Sequence, residues 1–316
     1  MTVWSTSGFV FPGQGSQAVG MGADVIAAYP AARVTFEEAS EILGFDLAAL
    51  CANGPEDALN DTINTQPALY VMGVALLRAL QQARPDAAPA LVAGHSLGEL
   101  TALTAAGSLA FADGVRLVRE RGRLMAEAGR QQPGAMAAIL GLDADVVRSV
   151  CAQASEQAGR PLVLANDNCP GQVVISGDDA ALELGMTLAK DAGAKRAIKL
   201  AVSIAAHSPL MQSASKAFNA AVGETPFAAP TTPIIANVTA ERLESAEAVR
   251  VELGQQLTQS VRWTESVQVM RAAGITQFYE FGPKDVLCGL IKRIDREAAA
   301  MPVNSSAALV TLIERV

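Results

Sequence analysis

The sequence contains few residues of the kinds that bind transition metals. Its 316 residues include only two histidines, His95 and His207, and four cysteines. The cysteines, at positions 51, 151, 169 and 288, are widely separated and form no C-x-x-C pair. This spacing is typical of neither a zinc site nor a disulfide framework, so we expect free thiols and no metal.

Long hydrophobic runs and an excess of positive charge are also missing. No stretch reaches the ~18 apolar residues of a membrane span, and the N-terminus has no basic segment followed by an apolar run. We therefore expect a cytoplasmic protein that binds no membrane. The 24 basic residues are outnumbered by 32 acidic ones, and the formal charge of −8 disfavours nonspecific binding of nucleic acid.

The order of apolar segments predicts an α/β fold. The chain is 50% hydrophobic and long enough to bury a sizeable core. Its early and late parts alternate short strands with helices; residues 277–281, for example, precede a helix from about Asp285. This alternation predicts a mostly parallel sheet with helices on both faces. The alanine-rich tail after about Arg296 is expected to be irregular, although residues 309–313 could form a final helix.

The pattern changes between about Ala135 and Leu200. Strands and helices follow in the order β-α-β-β-α-β, which predicts an inserted ferredoxin-like subdomain. We assign residues 134–200 to this small subdomain, and residues 1–133 and 201–316 to a discontinuous large subdomain.

Residues 94–98 read Gly-His-Ser-Leu-Gly, the glycine-flanked pentapeptide of a strained nucleophile turn. A short apolar run precedes it, and residues 99–106 are typical of a helix, which is the strand-turn-helix context that this motif requires. Glycine on either side removes side chains that would clash in so tight a turn. The motif predicts nucleophilic acyl transfer by Ser96.

A serine nucleophile needs a base, and the two histidines leave little choice. His95 is adjacent to Ser96 and is expected to point away from it. His207 precedes Ser208 and Pro209, which are typical of a helix start. The positive end of that helix would keep the imidazole of His207 neutral, ready to accept a proton. A purely structural role for His207 in a polar loop is the alternative.

Arg121 lies on the apolar face of a predicted helix, with Leu117, Val118, Leu124 and Met125 one turn away on either side. A guanidinium removed from water needs a carboxylate partner, and its planar fork suits bidentate pairing. That partner is either an internal acidic residue or the substrate. A snorkelling side chain is a third possibility.

The glycine-rich segment near the start, residues 9–22, follows a predicted first strand. It loosely matches a dinucleotide-binding fingerprint, but no acidic residue closes a second strand at the expected distance. A glycine-rich turn can instead bring main-chain N–H groups to a developing oxyanion, and Gln14 is suitably placed for this.

Five motifs carry a family resemblance. They read Phe-Pro-Gly-Gln-Gly-Ser-Gln at 11–17, Gly-His-Ser-Leu-Gly-Glu at 94–99, Arg-Gly at 121–122, Ala-Asn-Asp-Asn-Cys-Pro-Gly-Gln-Val-Val-Ile-Ser-Gly at 165–177, and His-Ser-Pro-Leu-Met at 207–211. In this order the chain resembles the malonyl-CoA:acyl carrier protein transacylase family, from about Phe9 to Ile294. The resemblance implies a hydrolase-like large subdomain with the ferredoxin-like insert, and an active site in the cleft between them.

The resemblance also implies a role for each site residue. Ser96 would be the nucleophile, His207 its base, and Arg121 the group that binds the free carboxylate of a malonyl group. The remaining assignments are an oxyanion hole formed by the N–H groups of Gln14 and Leu97, a main-chain carbonyl of Gln256 that orients His207, and supporting positions at His95, Asn166 and Asn168. The two asparagines could equally be loop residues that bind their own backbone.

The reaction implied is transfer of malonyl from malonyl-CoA to the phosphopantetheine thiol of an acyl carrier protein, through a malonyl-serine ester. Malonyl-CoA would be a substrate, with no permanently bound cofactor, and the protein a monomer. Because the net charge is negative, an acidic carrier would need a local basic patch. Two candidates are residues 195, 196 and 199, and residues 292, 293 and 296.

Two positions depart from the family pattern. Residues 204–207 read Ile-Ala-Ala-His, where many malonyl-selective members resemble Gly-Ala-Phe-His, and Ala206 leaves more room beside the acyl group. A discrete polyketide acyltransferase that takes a branched extender such as methylmalonyl is therefore an alternative. Residues 282–285, Gly-Pro-Lys-Asp, differ from the frequent Gly-Pro-Gly form. Two different classes of protein also stay open at this point, a serine acyl-thioester hydrolase and a non-catalytic carrier-binding module.

Overall fold

The strands of the protein form two separate sheets. In the computed structural model, residues 3–202 and 204–315 are described. The strands are β1 (Ser7–Phe11), β2 (Leu91–Gly94), β3 (Ala135–Leu140), β4 (Leu162–Cys169), β5 (Gln172–Gly177), β6 (Arg196–Lys199), β7 (Ile234–Ile235), β8 (Arg242–Leu243), β9 (Gln277–Phe281) and β10 (Ala299–Val303).

Helices precede, connect and cover these strands. They are α1 (Ala23–Ala28), α2 (Pro30–Leu43), α3 (Leu47–Asn53), α4 (Glu56–Asn60), α5 (Thr62–Ala83), α6 (Gly98–Ala105), α7 (Phe111–Gln131), α8 (Ala144–Ala158), α9 (Asp179–Asp191), α10 (Gln212–Glu224), α11 (Ala246–Gln256), α12 (Trp263–Ala272), α13 (Val286–Ile294) and α14 (Ser306–Arg315), with short 3-10 turns at Val3–Thr6 and Pro209–Met211. Within the described ranges, none of these helices is both long and apolar enough to cross a membrane.

The larger sheet has the strand order β10-β9-β1-β2-β7-β8. Its pairs are parallel except for β7 with β8, which confirms the predicted mostly parallel sheet. The sheet is covered on both faces, so β1 is buried along its whole length. Phe11 at the end of β1 is in register with Gly94 at the end of β2. The loops that follow these two strands therefore leave the sheet side by side.

The smaller sheet has the order β4-β5-β3-β6 and is antiparallel throughout. Helices α8 and α9 contribute to a separate core with it, which includes Ile139, Val147, Leu164 and Leu182. This is the ferredoxin-like arrangement that the order of elements predicts. Strand β4 is also hydrogen-bonded to the segment that precedes α12. Val261 N–H donates to the main-chain oxygen of Ala165, and Asp167 N–H donates to the main-chain oxygen of Val261.

The C-terminal tail corrects one expectation from the sequence. Instead of being irregular after Arg296, it forms β10, which pairs in parallel with β9 at the edge of the larger sheet. The segment Ala-Ala-Met-Pro-Val has little intrinsic strand preference, and its proline is tolerated because the strand is at an edge. The expected final helix is present as α14, which buries Leu309 and Leu312.

Candidate active site

Ser96 lies in a sharp turn between β2 and α6. Its φ of 52° is in the left-handed region, which a non-glycine residue rarely adopts. The flanking glycines make the turn possible by close contact: a Cβ on Gly94 would lie 1.9 Å from the carbonyl carbon of Gly98, and a Cβ on Gly98 would lie 2.0 Å from the carbonyl oxygen of Phe11. The nucleophile turn that the pentapeptide predicts is therefore present, with the serine hydroxyl in the cleft between the two sheets.

His207 faces this serine. Its Nε2 lies 2.8 Å from Ser96 Oγ. Its Nδ1 lies 2.8 Å from the main-chain oxygen of Gln256 and 3.1 Å from that of Gln259. A carbonyl oxygen can only accept a hydrogen bond, so Nδ1 carries the ring proton and Nε2 presents its lone pair to the hydroxyl.

The environment of His207 keeps the imidazole neutral. Burial, together with the positive charge of Arg121, lowers the pKa of His207 to about 3. This is the direction expected from a helix start, but the largest cause is burial. Ser208 does accept a hydrogen bond from Leu210 N–H at the 3-10 turn that follows, as its predicted capping role requires.

Arg121 is buried, and the groups that accept hydrogen bonds from it are all neutral. Its Nη1 donates to Gln66 Oε1 at 2.9 Å, and its Nη2 donates to Gln256 Oε1 at 2.8 Å and to Ser96 Oγ at 3.2 Å. Within the described ranges, no carboxylate forms an ion pair with this guanidinium, and its Nε has no hydrogen-bond partner.

The charge of Arg121 persists at neutral pH. Burial lowers the pKa of this guanidinium to about 10, while the nearby carboxyl group of Glu99 acts in the opposite direction, so the guanidinium stays protonated. The internal ion pair considered from the sequence is thus absent from the described part of the chain. A positive charge faces the cleft directly beside the serine, and a carboxylate brought by a ligand would satisfy it.

Gln14 and Leu97 both line the cleft around Ser96. Among the described residues, the main-chain N–H of neither one has an acceptor, whereas Gly98 N–H and Glu99 N–H donate to His95 and Ser96. The side chain of Gln14 is hydrogen-bonded to Thr62, whose Oγ1 accepts from Gln14 Nε2 at 2.9 Å. Two main-chain N–H donors without an acceptor therefore line the same cleft as the nucleophile, and such donors can stabilise an oxyanion.

The structure brings three further predicted residues to the same cleft: His95, Asn166 and Asn168. The Nε2 of His95 lies 2.8 Å from Asn168 Oδ1, so this hydrogen bond links the nucleophile turn to strand β4 of the smaller sheet. The ring of His95 also contacts that of Trp263 at a centroid distance of 5.7 Å. His95 is thus hydrogen-bonded to Asn168 on β4, whereas His207 contacts the hydroxyl of Ser96.

Two polar residues of the site were missed in the sequence. Asn237 Oδ1 accepts from Ser96 N–H at 2.7 Å, and its Nδ2 donates to the carbonyl of Gly94 at 2.7 Å, so it stabilises the strained turn. Gln66, on α5, is one of the acceptors for Arg121. Neither residue lies in a recognisable motif, and only the fold brings them within reach.

The cleft itself has a volume of about 390 Å³. Its polar end holds Ser96, His207 and Arg121, and its apolar wall comprises Met125, Met136, Val174, Leu200, Val202 and Ala206. In the part of the chain that the structure describes, no cluster of three or more histidine, cysteine or carboxylate side chains could hold a metal ion. The chemistry that these residues support is nucleophilic acyl transfer by serine.

Comparison with known proteins agrees with this chemistry. Residues 8–313 match the acyl transferase domain family. The chain is 47% identical over 306 residues to the malonyl CoA-acyl carrier protein transacylase of Escherichia coli (strain K12), covering 97% of this chain and 98% of that relative.

Two solved structures are similar along the whole fold. The malonyl CoA-acyl carrier protein transacylase of Coxiella burnetii has a TM-score of 0.95 at 40% identity, covering 98% of this chain and 97% of that one. A malonyl-transacylase in complex with its holo type II PKS acyl-carrier protein has a TM-score of 0.95 at 44% identity, covering 98% and 99%. The chain belongs to the acyl transferase domain family, and within it to the malonyl-CoA:acyl carrier protein transacylases.

Proposed function

We propose that this protein transfers a malonyl group from malonyl-CoA to the phosphopantetheine thiol of an acyl carrier protein. The observation that carries the proposal is the buried Arg121, which has no carboxylate partner in the described ranges and lies 3.2 Å from Ser96 Oγ. A malonyl group has a free carboxylate one methylene from its thioester carbon. Binding of that carboxylate to Arg121 would bring the reacting carbonyl next to the serine.

In the first half-reaction, His207 Nε2 takes the proton of Ser96 as Oγ attacks the thioester carbon of malonyl-CoA. The main-chain N–H groups of Gln14 and Leu97 bind the oxyanion of the tetrahedral intermediate. When the intermediate collapses, the carbon–sulfur bond breaks and His207 returns the proton to the CoA sulfur. The products are a malonyl-serine ester and free CoA.

The second half-reaction uses the same groups in reverse. The phosphopantetheine thiol of the carrier loses its proton to His207 and attacks the ester carbonyl. The bond to Ser96 Oγ then breaks, and His207 gives the proton back to this oxygen. The free serine and a malonyl-carrier thioester result. Malonyl-CoA is a substrate in this scheme and no resident cofactor takes part, and we propose that a cytoplasmic monomer carries it out.

The orientation of His207 distinguishes this site from a hydrolase with a Ser-His-Asp triad. Its Nδ1 bonds to two main-chain carbonyls, of Gln256 and Gln259, where such a hydrolase uses an acidic side chain. The relatives named as transacylases, one of them in complex with its carrier, support the transferase over the hydrolase.

Isolating the two half-reactions tests this proposal. The enzyme is loaded with malonyl-CoA, freed of excess substrate, and mixed with holo-acyl carrier protein. We expect the malonyl group to leave the enzyme and appear on the carrier. Apo-carrier, which lacks the thiol, is the matched control. Loss of the group to water at the same rate with either carrier would show a hydrolase instead.

A further inference from the structure

A buried hydrogen-bond network lies behind Ser96 and is centred on Gln256. Its Nε2 donates to the main-chain oxygen of Ser96 at 2.9 Å, and its Oε1 accepts from Arg121 Nη2 at 2.8 Å. The main-chain oxygen of the same glutamine accepts from His207 Nδ1. The fully buried side chain of Gln256 therefore contacts both the backbone of Ser96 and the guanidinium of Arg121. The main chain of Gln256 contacts the base, His207.

Glu99 determines which way the amide of Gln256 faces. This glutamate is fully buried on α6. Its Oε2 accepts from Gln256 Nε2 at 2.5 Å, and its Oε1 accepts from Asn237 N–H at 2.9 Å. Because both oxygens accept, the amino group of Gln256 must face Glu99. The amide oxygen then faces Arg121, which can only donate.

A second buried carboxyl group completes the network. Glu252, one helical turn before Gln256 on α11, accepts from Val238 N–H at 2.8 Å and is hydrogen-bonded to the side chain of Glu99. Two carboxylates cannot share a hydrogen bond without a proton, so the pair holds one proton and one negative charge. Burial raises the pKa of both groups, in agreement with a retained proton.

We propose that Glu99 is a positioning residue for acyl selectivity: by holding the amide of Gln256 in one orientation, it fixes Arg121 beside Ser96 for the carboxylate of the substrate. The inference rests on the proposed role of Arg121. It adds that recognition of the carboxylate depends on an acidic residue that does not touch it.

Two isosteric substitutions separate this role from a general effect of buried charge. Each of Glu99→Gln and Glu252→Gln leaves one carboxyl group and no shared proton. In Glu252→Gln, the new amide donates to Glu99 in place of that proton and still accepts from Val238. In Glu99→Gln, a single amide oxygen faces two N–H donors, so the amide of Gln256 must turn and withdraw its oxygen from Arg121.

The measurement is the ratio of malonyl to acetyl adducts on the enzyme after single-turnover loading from an equimolar mixture of the two CoA esters. We expect Glu99→Gln to lower this ratio roughly tenfold or more, the typical effect of losing a hydrogen bond to a charged group. Glu252→Gln should keep the wild-type ratio. The proposal is overturned if Glu99→Gln keeps that ratio, or if both variants lose it equally.

A second variant covers the case in which Glu99→Gln does not fold. Gln256→Met removes the amide but keeps the main-chain carbonyl that orients His207, and it should lower the same ratio. An unchanged ratio in Gln256→Met also contradicts the proposal. Arg121→Ala distinguishes failure of the proposed function from failure of the role of Glu99. If Arg121→Ala keeps the malonyl preference, Arg121 is not the carboxylate site. If Arg121→Ala loses this preference and Glu99→Gln keeps it, only the role of Glu99 is refuted.

Discussion

Arg121 Nη2 lies 3.2 Å from Ser96 Oγ, so the positive charge and the nucleophile share one end of the cleft. The guanidinium is held from behind by the neutral acceptors Gln66 and Gln256. An arginine fixed in this way is pre-organised and loses little conformational freedom when a carboxylate binds. The distance between the two groups limits the acyl chain to one whose carboxylate is close to its thioester.

The low pKa of His207 predicts a flat pH profile for acyl loading. Because this pKa is lowered to about 3, the imidazole is an unprotonated base throughout the neutral and mildly acidic range. We expect the rate of loading from acetyl-CoA to change little between about pH 8 and pH 5, where a histidine of ordinary pKa near 6.5 would lose activity.

The same reasoning predicts a shift in one variant. Arg121→Gln removes the positive charge that helps to lower the pKa of His207. That pKa should rise, so acetyl loading by the variant should begin to fall at a higher pH than in the wild type. Stopped-flow or quench measurements across the range compare the two profiles. Identical profiles would show that Arg121 has no electrostatic effect on the base.

Gly98→Ala is expected to disrupt the nucleophile turn. The added Cβ would lie 2.0 Å from the carbonyl oxygen of Phe11, so β1 or the start of α6 must move. We expect a lower melting temperature and a loss of serine loading of about a hundredfold or more, since small misplacements of a nucleophile are costly.

Gly223→Ala is the matched control for that substitution. Gly223 lies in helix α10, and a Cβ there would meet no atom within 4 Å. Alanine should be neutral or should stabilise the helix by about 0.5–1 kcal/mol, without an effect on loading. Equal behaviour of the two alanine variants would contradict the account of the turn.

Ala206→Phe should make the cleft more selective for an unbranched acyl group. Ala206 lines the wall of the cleft next to His207, where an alanine side chain leaves space. A phenylalanine would fill this space, and we expect methylmalonyl loading to fall about tenfold relative to malonyl loading, since one methyl group in an apolar pocket is worth about 1–3 kcal/mol. Competition between the two CoA esters, read by adduct mass, measures the ratio. If the ratio of methylmalonyl to malonyl loading does not change, the methyl group of methylmalonyl does not bind beside Ala206.

Carrier docking is predicted to depend on exposed basic residues near β6. Lys195 and Arg196 are exposed, whereas Lys199 is bound to Asp179 and Glu183 at 2.9 and 3.1 Å. Reversing the charge of Lys195 and Arg196 should raise the KM for the carrier and leave self-malonylation unchanged. The same reversal at Lys292 and Arg296, on and just after α13, alters net charge equally and is the control. A carrier KM that responds only to the second pair would assign docking to that patch.

The sequence motifs predict the local structure around Ser96 and His207, because each of these structures depends on residues that are close together in the chain. The turn at Ser96 follows from the flanking glycines, and the start of the helix after His207 follows from Ser208 and Pro209. The ferredoxin-like insert was recognisable because its strands and helices alternate clearly. These features are determined by local sterics and periodicity, which a single sequence contains.

Contacts between distant segments were not predictable in the same way. Nothing near Asn237 indicates that it bonds to Ser96 N–H, 141 residues away. Strand β10 was missed because its pairing with β9, and not its own composition, makes it a strand. Glu252 did carry a signal, since it lies four residues before Gln256 on one helix, but its burial against Glu99 depends on the packing of α11 against the rest of the site.

We expect Ser96 to be acylated and Arg121 to select the acyl group that bears a carboxylate. Intact-protein mass after brief incubation with an equimolar mixture of malonyl-, methylmalonyl- and acetyl-CoA tests both parts at once, with Ser96→Ala and Arg121→Ala measured beside the wild type. We predict a malonyl adduct on the wild type, no adduct on Ser96→Ala, and a shift towards acetyl on Arg121→Ala. A malonyl adduct that survives in Ser96→Ala would contradict the role of Ser96 as nucleophile, and an unchanged malonyl preference in Arg121→Ala would contradict the role of Arg121.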